Sequence, residues 1–270
     1  MRSARAPAKL NLALAVGPRR PDGRHEVVSV MQPLELADLL ELEPAGQLLV
    51  EGFAGDSLVR AALEALATAA GVRPHWRVRI EKRIPVAAGL GGGSADAATA
   101  LRLANAMLPQ PLRPERLCGL AAALGADVPF FLEPGAKLAE GDGTALRPLR
   151  LPLGYHVLVL VPAGVAKAST GAVYDAFDER GGERGFRERR AALLEALEQV
   201  EAPEDLARLP PNDLACSPLA DELKRLGAFR AGVTGAGPAL YGLFRGRAEA
   251  EAAAARLRSA GRLWVGQPAW

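Results

Sequence analysis

The chain predicts a mixed α+β protein of two domains, and three observations carry that expectation. Strand-like and helix-like segments alternate in both halves of the 270 residues, without the regular spacing of a doubly wound sheet. Hydrophobic residues make up 49% of the sequence, and the length suits one large domain or two ordinary ones. The stretch RPLRLPLG at 147–154 gives a modest linker signal, which sets the expected domains at 1–151 and 152–270.

In chain order, Ala8 to Val16 alternates in part and reads as a strand, and Pro18 to Gly23 as a turn-rich loop. Leu34 to Glu43 reads as a second strand region. Ser57 to Ala70 reads as a helix whose stripe is Leu58, Ala62, Leu63 and Leu66. Trp76 to Glu81 alternates, with Val78 and Ile80 on one face. An alanine-rich helix follows a glycine loop and runs to about Met107, and Pro114 to Leu124 is a short helix with proline near its start. In the second half, His156 to Val161 (HVLVLV) reads as a buried strand. Glu188 to Val200 and Leu219 to Leu226 read as helices, Gly232 to Phe244 as strand, glycine turn and strand, and Arg247 to Ser259 as a last helix. No internal repeat or low-complexity tract interrupts this order.

Charge and composition narrow the function. The net charge is only +2 and the positive residues are scattered, so no basic face for nucleic acid is expected. Two cysteines, Cys118 and Cys216, are too few for a disulfide framework. No apolar run reaches membrane-spanning length. Basic residues precede LNLALAV at 10–16, but Asn11 breaks that run and GPRRPDG, not a cleavage site, follows it. These features predict a soluble cytoplasmic protein with no membrane partner.

The segment with most chemical content is PVAAGLGGGSADAATAL, residues 85–101. Gly89, Gly91, Gly92 and Gly93 precede a segment of high helix propensity. A helix N-terminus offers unpaired N–H groups and the positive end of its dipole. Glycine lets an anion approach the main chain, and phosphate is the anion such loops hold. The ordinary alternative is a flexible turn. Three consecutive glycines carry too much entropy to serve turning alone. The loop is neither a P-loop, since no lysine follows the glycines, nor a dinucleotide fingerprint, since GLGGGS ends in serine. Gly92 is expected to need positive φ and close backbone approach.

Three further segments carry polar residues in apolar settings. Lys9 and Asn11 lie two apart on a strand, so they share a face, with Leu10, Leu12 and Leu14 on the core face. Asp127 sits in GADVPFF at 125–131, a tight turn among apolar residues, and TGAGP at 234–238 is a glycine turn. Taken singly, each reads as well as a solvated face, an Asx-turn or a hairpin.

Together they resemble the galactokinase–homoserine kinase–mevalonate kinase–phosphomevalonate kinase (GHMP) superfamily, with its basic N-terminal strand, central glycine phosphate loop and C-terminal glycine turn. The matching stretches are APAKLNLAL at 6–14, RPDGRHE at 20–26, PVAAGLGGGSADAA at 85–98, LGADVPFFL at 124–132 and TGAGPALYGLF at 234–244, so the resemblance spans essentially the whole chain. GLGGGS, LGADVPFF and the DG-x-H element point to a branch that phosphorylates the 2-hydroxyl of a cytidyl diphosphate sugar-alcohol in non-mevalonate isoprenoid precursor synthesis. The resemblance implies a two-domain fold with the active site in the interdomain cleft, ATP and Mg²⁺ as cofactors, and a monomer or weak homodimer. It assigns Asp127 as catalytic base and Lys9 as its cationic partner, which would favour the ionised carboxylate. ATP phosphates would be held by Pro85, Val86, Ala87, Ala88, Gly89, Leu90, Gly91, Gly92, Gly93, Ser94 and Ala95, with Ser94 also the candidate contact to Mg²⁺. Substrate would be held by Asn11, Arg24, His25, Thr170 and Tyr174.

Two departures stand out. Where the branch carries tyrosine before the histidine of DG-Y-H, this chain has Arg24, whose guanidinium can stack on a base or bind a diphosphate. Tyr174 keeps the second aromatic, and His25 the histidine that reads the cytosine edge. Ser57-Leu58-Val59 stands where an asparagine is common beside the adenosine. Two rivals remain: another kinase of the superfamily, against which DG-R-H and LGADVPFF argue, and a binding protein that has lost catalysis, against which Lys9 and Asp127 argue.

Overall fold

The structure is a computed structural model and describes residues 1–53, 57–165 and 169–269. The chain divides into two compact units, each gathered from separate stretches. The first holds Met1–Ala8, Leu36–Val86 and Gly91–Pro134; the second holds Lys9–Glu35, Ala87–Leu90 and the chain from Gly135 onward. Two long strands, β1 (Arg2–Arg19) and β2 (His25–Pro44), therefore contribute to both.

In the first unit, β3 (Leu49–Glu51) and β4 (Trp76–Glu81) join the C-terminal part of β2 in the order β3-β4-β2. β4 pairs antiparallel with β2, Leu40 facing Ile80, and parallel with β3, Val50 facing Val78. Its alternation is strict: Trp76, Val78 and Ile80 are buried, while Arg77, Arg79 and Glu81 face solvent. Three helices complete the unit: α1 (Ser57–Ala70), α2 (Gly92–Asn105) and α3 (Pro114–Leu124). The buried stripe of α1 is Val59, Ala62, Leu63, Leu66 and Ala67, so it starts at Val59, not at Leu58 as expected. Ala95 to Leu101 of α2 are all buried, because α1 and a 3₁₀ turn at Pro129–Leu132 pack against that helix.

The second unit holds two sheets. The N-terminal part of β2 pairs antiparallel with β5 (Lys137–Gly141), which forms a hairpin with β6 (Ala145–Pro148). A separate antiparallel sheet has the order β10-β7-β9-β8, built from β7 (His156–Pro162), β8 (Arg230–Val233), β9 (Leu240–Phe244) and β10 (Gly261–Gly266). Leu158, Leu160, Leu240 and Phe244 of that sheet share a core with Leu223 of α6 (Pro218–Arg225) and Ala253 of α7 (Arg247–Arg256). The unit also contains α4 (Thr170–Glu179) and α5 (Phe186–Glu198). Phe177 of α4 packs with Leu14, Val16, Val27 and Leu214 in a second cluster.

Where sequence and structure differ, tertiary pairing explains it. β1 continues through Pro18 and Arg19, so the connection to β2 is shorter than the expected 18–23 loop. The short strands β3, β5, β6 and β10, and helix α4, lack the long periodicity that would announce them. β10, for instance, reads GRLWVG and is fixed by pairing with β7, Trp264 facing Val159.

Candidate active site

The glycine loop is shared between the units. Its second half, in the first unit, opens α2. Gly91 is the N-cap in the left-handed region at φ 74°, and no side chain caps the first turn. An uncapped helix start keeps its N–H groups available to an anion. Gly93 faces open space, with nothing within 4 Å of an added Cβ. Ser94 is half-buried and Ala95 fully buried. Gly92 corrects the expectation made for it: it is helical, and a Cβ there would lie 3.1 Å from Ile84 Cγ2. Among the glycines of the loop, the left-handed positions are Gly89 and Gly91.

A buried charge cluster, absent from the sequence reading, braces that half of the loop. Asp38 of β2 accepts hydrogen bonds from the backbone N–H of Arg83 at 2.5 Å and of Ile84 at 2.8 Å. Its other oxygen accepts from Lys82 Nζ at 2.5 Å, and the same ammonium donates to Asp96 of α2 at 2.6 Å. Both carboxylates are fully buried. Burial works against the Lys82 charge, but its hydrogen bonds to Asp38 and Asp96 prevail and raise its pKa above the ordinary lysine value. One side chain thus ties the strand leading into the loop to the helix leading out.

The first half of the loop, in the second unit, is held by main-chain contacts. Ala87 adopts φ 58°, a strained conformation for a residue with a Cβ, and Gly89 adopts φ 85°. The carbonyl of Ala88 accepts from Ala239 N at 3.0 Å, and that of Leu90 from Lys9 N at 2.9 Å. A Cβ on Gly89 would meet the Thr234 carbonyl oxygen at 2.6 Å. The two glycine loops therefore touch backbone to backbone. Ala88 and Leu90 are buried, while Val86 and Ala87 are exposed and Pro85 half-buried.

Lys9 and Asn11 stand beside this contact. They are 4% and 5% exposed, which removes the solvated-face alternative. Lys9 Nζ donates to Asn11 Oδ1 at 2.5 Å, Asn11 Nδ2 donates to Ser29 Oγ at 2.8 Å, and Asn11 N donates to Thr234 Oγ1 at 2.9 Å. Gly235, at φ 57°, brings its Cα close enough that a Cβ would lie 3.5 Å from Lys9 Nζ. Asn212, absent from the sequence reading, donates through Nδ2 to the carbonyls of Val233 and Gly235, at 3.0 and 2.7 Å, and so holds the turn. Asp127 lies in the first unit, half-buried in the turn between α3 and the 3₁₀ segment, where Val128 N donates to Gly125 O at 3.1 Å.

A second cluster in the second unit brings two of the predicted substrate residues into contact, with Arg24 and Thr170 on adjoining stretches of chain. His25 is buried and stacks on Tyr174, with ring centroids 4.8 Å apart and planes 28° apart. His25 Nε2 lies 2.7 Å from Asp178 Oδ1, and Asp178 Oδ2 accepts from Arg19 at 2.9 Å. Hydrogen bonding by His25 first, and by Arg19, holds the Asp178 carboxyl below its ordinary pKa. Arg24 is exposed and donates to Asp142 Oδ2 at 2.6 Å. Asp142 in turn accepts from Thr144 N and Oγ1, and the pair tethers the β1–β2 connection to the β5–β6 turn. Thr170 opens α4 in an exposed position, one turn before Tyr174, and shares its helix face. Among the described residues no group of three His, Cys, Asp or Glu could hold a metal ion.

Comparison with known proteins gives the class of the chain. The family signature described as GHMP kinases N terminal domain matches residues 57–135, and the one described as GHMP kinases C terminal matches residues 186–263. A 4-diphosphocytidyl-2-C-methyl-D-erythritol kinase of Pelotomaculum thermopropionicum is 42% identical, with 95% of this chain and 93% of the relative covered. One of Deinococcus radiodurans is 40% identical over 93% of this chain and 87% of its own length. A crystal structure of 4-(cytidine 5'-diphospho)-2C-methyl-D-erythritol kinase superposes with a TM-score of 0.81 at 36% identity, covering 100% of both chains. A mevalonate kinase structure shares the fold alone, with a TM-score of 0.77 at 13% identity over 100% of this chain and 99% of its own. The chain is thus built as a GHMP kinase, with that fold's two-domain α+β architecture. Within that class it belongs to the 4-diphosphocytidyl-2-C-methyl-D-erythritol kinase family of small-molecule kinases.

Proposed function

We propose that the protein transfers the γ-phosphate of ATP to the 2-hydroxyl of 4-diphosphocytidyl-2-C-methyl-D-erythritol, a step of the non-mevalonate route to isoprenoid precursors. The observation that carries this reading is the contact between the 87–90 and 234–238 glycine segments beside Lys9 and Asn11, in the same unit as the His25–Tyr174 stack. Phosphoryl transfer depends on positioning and charge neutralisation more than on covalent chemistry, and this chain supplies both.

The N–H groups of Gly92, Gly93 and Ser94 open α2 and hold the phosphates of the donor. Lys9, oriented by Asn11, neutralises charge on the transferring group. Asp127 accepts the proton of the attacking hydroxyl. His25 and Tyr174 receive the cytosine, with Arg24 beside them. Mg²⁺ would supply further neutralisation of the phosphates, with Ser94 as its side-chain contact from this chain. The same reading makes the protein a cytoplasmic monomer or weak homodimer, which light scattering on the eluted protein tests.

The decisive experiment offers ATP, Mg²⁺ and one acceptor at a time: the cytidyl compound, mevalonate, homoserine or galactose. ADP release with the cytidyl compound alone is expected. Turnover of another acceptor overturns the substrate assignment, and turnover of none overturns the assignment of activity.

A further inference from the structure

In the neutral ring, the His25–Asp178 contact fixes which nitrogen of His25 carries the proton. A carboxylate can only accept a hydrogen bond, so the 2.7 Å contact requires the hydrogen on Nε2. Arg19 donates to the other oxygen, which keeps Asp178 anionic and pointed at the ring. Tyr174 covers one ring face and Phe177 meets the ring edge-on, at 6.1 Å and 88°, so the ring has little freedom to flip. Among the described residues no hydrogen bond is made by Nδ1. In the neutral ring, that atom is a bare lone-pair acceptor.

We infer that Asp178 is a positioning residue which sets base specificity: by holding Nε2–H, it presents His25 Nδ1 as an acceptor that selects an exocyclic amine over a carbonyl at the same place on the base. Cytosine carries an amine at C4, whereas uracil carries a carbonyl there. The opposite tautomer, with hydrogen on Nδ1, would pair with uracil. Arg19 and Asp178 are chosen by neither the glycine loops nor the transfer chemistry, and this role gives the chain of contacts a purpose. The inference rests on the proposal that His25 faces the base.

The test compares kcat/KM for 4-diphosphocytidyl-2-C-methyl-D-erythritol and for its uridine counterpart in the wild type, Asp178→Ala and Asp178→Glu. Nitrogen-15 spectra of the imidazoles accompany it, and the chain has only three histidines to assign. In the wild type, His25 should show the Nε2–H tautomer and the cytidyl substrate should be preferred. In Asp178→Ala, the cytidyl-to-uridyl ratio should fall about 10- to 100-fold, the scale seen when the partner that orients a metal-ligating histidine is removed, and Nδ1–H should become populated. Asp178→Glu should recover part of the ratio. A merely structural role would depress both substrates alike. An unchanged ratio in a folded Asp178→Ala protein, or Nδ1–H in the wild type, overturns the inference. A wild-type protein inert toward the cytidyl compound overturns the functional reading instead, and the tautomer measurement still judges the hold of Asp178.

Discussion

The glycine-loop region and the His25 cluster are held by different forces. Around Lys9, the contacts run through the main chain: Leu90 O with Lys9 N, Ala88 O with Ala239 N, and Gly89 against the Thr234 carbonyl. Around His25 they run through side chains, from Arg19, Tyr174, Asp178 and the Arg24–Asp142 tether. Main-chain contacts are insensitive to side-chain identity except where a Cβ cannot fit. Side-chain contacts can be exchanged one at a time. The first design suits a ligand group that main-chain N–H donors can hold, such as phosphate; the second suits recognition of one particular ligand. On the proposed function, damage to the first region should lower kcat or nucleotide affinity, and damage to the second should raise KM for the acceptor.

The largest effect should come from the chemistry that the glycine-loop region serves. Asp127→Asn is expected to lower kcat by about 10²- to 10⁴-fold while ATP still binds, the usual range for a general base. Lys9→Ala should also lower kcat. If the two act as a unit, the double variant should be little worse than the worse single one. Steady-state kinetics with calorimetric titration of ATP checks this. Near wild-type kcat in Asp127→Asn would remove the residue from the mechanism.

Next come the loop and its brace, where the glycines differ in what they tolerate. Gly89→Val combines positive φ with a 2.6 Å clash against backbone, so it should lose ATP affinity by well over tenfold. Gly92→Val meets the Ile84 side chain at 3.1 Å and should damage ATP affinity more than folding, though less than Gly89→Val. Gly93→Ala enters open space and should be the mildest. An inverted order would break the assignment of the loop halves. Asp38→Asn places an amide donor against the Lys82 ammonium and should destabilise the protein by about 3 kcal/mol, the low end for breaking a buried ion pair, readable by urea denaturation.

This contrast also explains what the sequence could reveal. A main-chain contact that needs glycine is written locally, as closely spaced glycines, so the loop at 85–95 and the turn at 234–238 were visible in the sequence. Lys9 and Asn11 were visible as a same-face pair on a strand. The β4 strand and helices α1 and α3 followed from period alone. Asp38, Lys82 and Asp96 were not visible, because three charged residues spread over 59 positions have no shared period. Asn212 and Asp178 were hidden for the same reason: each acts on a partner more than twenty positions away. Nor does sequence say that Gly92 is helical, since any glycine of the run can adopt the left-handed turn.

The smallest effect, and the sharpest test of the side-chain region, concerns Arg24. Its guanidinium is 43% exposed and paired with Asp142 at 2.6 Å. Exposed pairs of this kind contribute only about 0.2–1 kcal/mol, so the tether alone should matter little to stability. Stacking of a base is worth about 1–3 kcal/mol, and an exposed, already-paired guanidinium should sit at the low end. Arg24→Ala is therefore expected to raise KM for the cytidyl compound about fivefold and leave KM for ATP nearly unchanged. Arg24→Tyr should restore most of the loss if a flat face is what the base needs, because it returns the commoner ring of the branch. If Arg24→Tyr is as harmful as Arg24→Ala, the charge matters and the diphosphate is its target. Asp142→Asn separates these further: loosening the tether should weaken a stacked guanidinium, which needs a fixed plane, but should spare one that reaches for phosphate. Should neither Arg24 variant move KM for the acceptor, the base is held by Tyr174 and His25 without help from the β1–β2 connection.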